Sequence, residues 1–184
     1  ARLEPEVTAA SREQERLRRV GGELLAAMSN PPRVEFVLVD DDVVNLGGTP
    51  RTVVATSGLV ALVESDDELA GLLGHELVHV AQRHIETSAD VGLLMRILAG
   101  LVEVASPEGK EGIIEVGDAF GVEFELEQEI EADSTGLLYA YRAGYDPMAG
   151  YKVWERLATE VPQIVSRPIS VSYTQLTLPT NREV

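Results

Sequence analysis

GHELVHVAQRH, residues 74–84, holds all three histidines of a 184-residue chain: His75, His79 and His84. On an α-helix, residues four apart lie about 40° apart on one face, so His75 and His79 aim their rings at a common point. His84 comes nine residues after His75 and falls about 180° round a continuing helix. There, solvent or a local hydrogen bond suits it better than a metal. The pair forms H-E-x-x-H, filled by His75, Glu76, Leu77, Val78 and His79. Two neutral imidazoles at this spacing suit Zn²⁺, which takes nitrogen at about 2.0–2.1 Å in a tetrahedral shell. Glu76 follows the first histidine, where it can reach a metal-bound water without binding the metal and take its proton during attack on a carbonyl.

The flanking residues predict a helix that carries the pair. Ser65 and Glu68 form an S-x-x-E capping box, and Asp66 and Asp67 fall in the first turn, where the helix dipole favours acids. The helix is expected over about 66–86, through all three histidines. Gly71 and Gly74 lie inside it, and each costs about 1 kcal/mol relative to Ala in a helix interior. Close packing beside the histidines is the expected compensation.

A catalytic zinc keeps three protein ligands and an open position. The chain has no cysteine and no other histidine, so the third ligand must be Asp or Glu. The acid-rich stretch VEFELEQEIEAD (122–133) is the source to consider. Val122, Phe124, Leu126 and Ile130 alternate with Glu as in a half-buried strand, but from Leu126 onward a helix reads better. Leu126, Ile130, Leu137 and Tyr141 then share a face, and the pattern runs to a stop signal at AGYDP (143–147). Asp133 projects within that apolar stripe. Glu129 lies one turn earlier at its edge, above the small residues Ala132, Gly136 and Ala140. A buried carboxylate is costly unless paired or metal-linked. Glu129 as ligand, with Asp133 holding an imidazole N–H behind the metal, settles both charges. One zinc per chain is expected. Glu123, Glu125, Glu127 and Glu131 read as a solvated face.

Elsewhere, residues 6–29 read as an amphipathic helix with Leu17, Val20, Leu24, Leu25 and Met28 at helical spacing, ended by Pro31 and Pro32. VEFVLVD (34–40) reads as a strand, DDDVVNLGGTP (40–50) as turn chemistry, RTVVAT (51–56) as a second strand and SGLVALV (57–63) as a short helix or turn. The apolar run VGLLMRILAGLVEV (91–104) contains Arg96 and is shorter than the roughly 20 residues a membrane span needs, so it reads as a buried or partner-covered helix. SPEGKEG (106–112) reads as a loop. The composition, 45% hydrophobic and 25% charged, is that of a soluble globular domain. A formal charge of −16 argues against nucleic acid and anionic membranes as partners. The absence of cysteine excludes a disulfide framework and thiolate zinc sites.

No signal peptide is visible and the first residue is Ala1, which suggests a leader missing from the fragment. VSYTQLTLPT (171–180) resembles a sequencing adapter translated in one frame, with Gln175 the single departure. Residues 1–170 are therefore expected to be one domain, truncated at both ends, and 171–184 a non-native tail.

Taken together, VEFVLVDDDVVN, SGLVALVESDDELAGLLGHELVHVAQRH and EIEADSTGLLYAYRAGYDP resemble the gluzincin metallopeptidases of the HtpX, BepA and CAAX-prenyl-protease type, over roughly residues 34–160. The family's E-x-x-x-D motif falls on Glu129 and Asp133. The resemblance implies His75, His79 and Glu129 as zinc ligands, Glu76 as general base, and endoproteolysis. It also implies an α+β, zincin-like domain, mostly helical, with a small sheet whose edge strand flanks the HExxH helix. Lacking the membrane helices of the embedded branch, the chain is most similar to soluble, exported bacterial members. That likeness implies the periplasm or cell envelope, misfolded or envelope polypeptides as substrates, and outer-membrane assembly partners. Two features depart from the family. NLGGTPRTVVAT is shorter and less regular than the usual Asn-Ala-x-x-x-Pro-Gly-Gly stretch before the edge strand, and no histidine follows the second motif. The alternative is a zinc-containing chaperone-like or binding module with little proteolysis, its cleft covered by residues 91–121. A purely structural zinc domain would leave Glu76 without a task.

Overall fold

The computed structural model describes residues 9–84 and 126–160, with five helices and three strands among them. The expected 91–104 helix, the 106–112 loop, Glu123, Glu125 and the 171–184 tail lie outside the described residues. Helix α1 (Ala9–Ala27) forms on the predicted spacing, with Leu17, Val20 and Leu24 fully buried and Met28 following the last turn. It lies against strand β1 (Glu35–Val39), and one side chain joins the two. The Gln14 amide donates to the Phe36 carbonyl at 3.0 Å and accepts from Leu38 N–H at 2.9 Å. The outer edge of β1 thus has its backbone groups met by a helix rather than by another strand.

The sheet order is β1-β3-β2, with β3 (Thr52–Thr56) parallel to β1 and antiparallel to β2 (Leu46–Gly48). Strand β2 corrects the expectation of turn chemistry throughout 40–50. Leu-Gly-Gly carries no alternation or β-branching to announce a strand. It is one because β3 supplies the backbone partners, in the register Leu46↔Ala55, Gly47↔Val54, Gly48↔Val53. The turn between them is fixed by Thr49, whose Oγ1 accepts from the N–H groups of Arg51 and Thr52 at 3.2 and 2.9 Å. RTVVAT therefore forms the central strand, and the edge strand that packs on the histidine helix is β2.

Thr56 ends β3 and caps α2 (Ser57–Leu62), accepting from Leu59 N–H at 3.3 Å. Helix α3 (Asp66–Ala81) begins at Ser65, whose Oγ accepts from Glu68 N–H at 3.2 Å. Glu68 reaches back to Glu64 N–H at 2.8 Å, one residue further out than the usual reciprocal bond of a capping box. Every residue of α3 from Glu68 to Val80 is buried, so this is the central helix around which the domain packs. It stops at Ala81, short of the expected 86. Gln82 caps it, and Arg83 turns into the left-handed region with φ 58°.

Helix α4 (Leu126–Arg142) ends as AGYDP predicts. Gly144 adopts φ 95°, and Tyr145 N–H returns to the Ala140 carbonyl at 2.9 Å, a Schellman closure that favours glycine. Asp146 then caps α5 (Pro147–Glu160) through Met148 N–H at 2.9 Å, with proline at the first helical position. On α5, Arg156 makes a two-pronged bond to the buried Glu68 carboxylate at 2.8 and 2.7 Å, and a third to the Leu62 carbonyl. This ties the last described helix to the start of α3. The described residues thus form an α+β fold, mostly helical, with a small three-stranded sheet beside the histidine helix.

Candidate metal centre

Helices α3 and α4 cross where neither has a side chain. A Cβ on Gly74 would stand 2.7 Å from the Gly136 carbonyl oxygen, and one on Gly136 would stand 2.6 Å from His75 N. Gly71 meets Gly150 of α5 in the same way, where a Cβ would stand 2.3 Å from the Gly150 Cα. The two glycines that weaken α3 as an isolated helix are therefore the points where α4 and α5 approach its backbone, as expected from their cost. The residue after Gly74 is His75. The residues one and two turns before Gly136 on α4 are Asp133 and Glu129.

This crossing brings His75, His79 and Glu129 together, with one ligand atom from each lying within 4.8 Å of the others. The two Nε2 atoms are 3.0 Å apart. The Glu129 carboxylate lies 3.8 Å from His75 Nε2 and 3.7 Å from His79 Nε2. Two donors bound at about 2.0–2.1 Å to a tetrahedral ion stand roughly 3.3 Å apart, so this triangle fits a single zinc-sized ion after shifts of a few tenths of an ångström. His79 is fully buried, whereas Glu129 retains 28% exposure and marks the open side of the centre. Asp133 Oδ1 lies 2.9 Å from His75 Nδ1 and accepts its N–H, leaving Nε2 turned toward the triangle.

The surroundings set the charges. Burial depresses His79, as do the neighbouring His75 and His84, and its pKa falls to about 2. The ring is therefore neutral at every physiological pH, the form in which imidazole binds a metal. Burial also pushes His75 down, but the Asp133 hydrogen bond and the charges of Glu76, Asp133 and Glu129 outweigh it, and the net shift is upward. Glu76 is buried, and burial raises its carboxyl; His75 opposes that shift and Glu129 adds to it. A buried carboxylate biased toward holding a proton is suited to accept one from water and pass it on.

Three placements differ from the sequence reading. His84 is not on the far side of the helix: because α3 ends at Ala81, His84 folds back, buried, with its Nδ1 3.0 Å from His79 Nδ1. Glu131 is not simply solvated, since it accepts from Gln82 Nε2 at 2.6 Å and lies 3.6 Å from His84 Nε2. Glu127 is exposed, as read. The stripe of Leu126, Ile130 and Tyr141 is exposed, at 53%, 42% and 44%, and the buried face of α4 is Ala132, Gly136, Leu137 and Ala140. Asp133 is held by His75, not enclosed in a large-residue stripe. Trp154 of α5, the only tryptophan in the chain, lies beside the site without a motif to mark it; its ring centroid is 5.2 Å from that of His75. Its sole sequence signal is its position one turn after Gly150, which packs on Gly71.

The chain is similar to known proteins over most of its length. The sequence pattern of peptidase family M48 matches residues 11–175. The beta-barrel assembly-enhancing protease of Yersinia pestis is 32% identical over 167 residues, covering 80% of this chain and 33% of the relative. Its Escherichia coli (strain K12) counterpart is 29% identical over 163 residues, 80% of this chain and 32% of the relative. The mitochondrial metalloendopeptidase OMA1 of Arabidopsis thaliana is 32% identical over 127 residues, 67% of this chain and 25% of the relative. The chain thus spans between a quarter and a third of the length of these curated relatives. No helix among the described residues is long and apolar enough to cross a membrane. With the match extending over most of its length, the chain belongs to peptidase family M48, a family of metallopeptidases.

Proposed function

We propose that the chain is a zinc-dependent endopeptidase in which His75, His79 and Glu129 hold the ion, Glu76 is the general base and Asp133 orients His75. The observation that carries this reading is the convergence of two imidazole nitrogens and one carboxylate within 4.8 Å, beside the buried Glu76. Two nitrogens and one oxygen make a His₂Glu set, which suits a catalytic zinc with an open position. Zinc, when bound, acts as a Lewis acid on the scissile carbonyl and acidifies water. The protein's own part is proton handling and alignment. Glu76 takes the proton of the attacking water and returns it to the leaving amine, a role typically worth 10²–10⁴-fold in rate. Asp133 accepts the Nδ1–H of His75 and so fixes which nitrogen faces the ion.

The substrates proposed are misfolded or envelope polypeptides, and the site of action is the bacterial periplasm or envelope. Support comes from relatives named for beta-barrel assembly, which also suggest outer-membrane assembly factors as partners. The buried Glu76 favours hydrolysis over a binding module that keeps the metal but cleaves little. The test is Glu76→Gln assayed beside the parent on an unfolded protein substrate, with metal content measured for both. Equal zinc with cleavage reduced at least 100-fold is expected. Cleavage at the parent rate would remove Glu76 from the mechanism. A parent that binds zinc but cleaves nothing would favour the chaperone-like reading.

A further inference from the structure

We propose that His84 is a positioning residue for His79: its Nδ1 accepts the Nδ1–H of His79 and thereby turns Nε2 of that ring to the metal. The inference rests on the reading of His75 and His79 as zinc ligands. An imidazole that ligates through Nε2 keeps its proton on Nδ1, and a buried N–H needs an acceptor. For His75 the acceptor is Asp133 at 2.9 Å. For His79 the atom in place is His84 Nδ1 at 3.0 Å, the two ring centroids 5.1 Å apart and the planes crossing at 71°. His84 can accept there only if its own proton is on Nε2, the nitrogen that lies 3.6 Å from a Glu131 carboxylate oxygen.

The local backbone is arranged for this contact. A helix continued past Ala81 would carry His84 well away from His79. Arg83 prevents it by taking φ 58°, a conformation that costs a non-glycine residue on the order of 1 kcal/mol and persists only where surroundings enforce it. The turn is braced by Arg83 N–H on the Val80 carbonyl at 3.2 Å and by Gln82 on Glu131 of α4 at 2.6 Å. Both ligand histidines are thus oriented by groups outside the triangle: His75 by an acid on α4, and His79 by a third imidazole backed by another acid of the same helix.

The experiment compares the whole chain with His84→Leu and His84→Asn. Zinc affinity is read by chelator competition, ring-nitrogen protonation by ¹⁵N NMR of the three histidines, and stability by urea unfolding in chelator. His84→Leu offers no acceptor and should weaken zinc binding about 10–100-fold. His84→Asn places a carbonyl oxygen near the former Nδ1 and should stay within about threefold of the parent. The two variants should unfold alike in chelator, and the zinc-loaded parent should carry protons on His79 Nδ1 and His84 Nε2. Parent-like affinity in His84→Leu, or an equal loss in His84→Asn, would overturn the proposal. So would a His79 proton found on Nε2, a result readable in the parent even if the leucine variant does not fold. A parent without zinc affinity would instead sink the ligand assignment itself, and this inference with it.

Discussion

Gly74→Ala tests whether the α3–α4 crossing holds the candidate centre together. The new Cβ would stand 2.7 Å from the Gly136 carbonyl oxygen, 3.1 Å from its carbon and 3.3 Å from its Cα. A carbon–oxygen contact rests at about 3.3 Å, so α4 must retreat by roughly 0.6 Å, because both sides are backbone and no side chain can swing aside. Overpacking of this kind costs about 1–3 kcal/mol, while alanine recovers about 1 kcal/mol of helix propensity. The net loss of stability should be about 0–2 kcal/mol, so the variant folds. Metal ligation is less forgiving: ligand distances must hold within about 0.2 Å, and Glu129 rides on the helix that moves. Zinc affinity should therefore fall at least about tenfold, a disproportionate effect for a methyl group that touches no ligand. Gly22→Ala is the matched control, since Gly22 is an exposed helical residue with nothing within 4 Å of its would-be Cβ. It should gain about 0.5–1 kcal/mol with zinc affinity unchanged. Chelator competition and urea unfolding in chelator provide the two readouts. A Gly74→Ala protein that binds zinc like the parent would refute the claim that this crossing sets the position of Glu129.

Asp133→Asn keeps the shape but removes the charge facing His75 Nδ1, and zinc affinity should drop about 10–100-fold with the fold retained; unchanged affinity and activity would reduce Asp133 to a structural acid. Arg156→Leu strands the Glu68 carboxylate, 8% exposed, without its guanidinium, and urea unfolding should show a loss of about 2–4 kcal/mol, much of it recovered when Glu68→Gln is added. Burial raises the Asp66 carboxyl, but hydrogen bonds and charges from Arg16 and Arg19 outweigh it and hold it below the usual carboxylate value. Its contribution is then present above the unfolded pKa and lost as pH falls through the folded one. At 37% exposure, Asp66→Asn should cost about 0.5–1 kcal/mol at pH 7, with the gap from the parent beginning to close below about pH 4; a gap that acid leaves undiminished would mean the carboxylate charge is not its source.

What the sequence made legible was encoded locally. Ser65 and Glu68 announce the start of α3, Gly144 announces the end of α4, and the period of Leu17, Val20 and Leu24 announces the buried face of α1, because caps and faces depend on residues within a turn or two. Strand β2 was hidden because Leu46-Gly47-Gly48 has no pattern of its own and exists through the partners β3 provides. The buried face of α4 departs from the sequence pattern for a related reason. Large apolar residues ordinarily mark the core side, but where helices approach backbone to backbone the contact selects Gly136, Ala132 and Ala140, and the bulky Leu126 and Ile130 stay exposed. Asp133 meets its imidazole partner although the stripe of large residues around it is not the buried face. What sets its geometry is that Gly136 brings α4 against the backbone of His75.

His84 shows the same limit from the other side. Helical spacing places it opposite His75 only on a helix that continues, and one left-handed residue, Arg83, instead returns the ring to His79. No helical wheel contains that information, because it belongs to the turn and to the α4 residues that brace it. The arrangement also gives the three histidines one account. His75 and His79 face the triangle with Glu129, and His84, lying behind His79, stands to it as Asp133 stands to His75. A chain with no cysteine and only three histidines thus places all three at one centre.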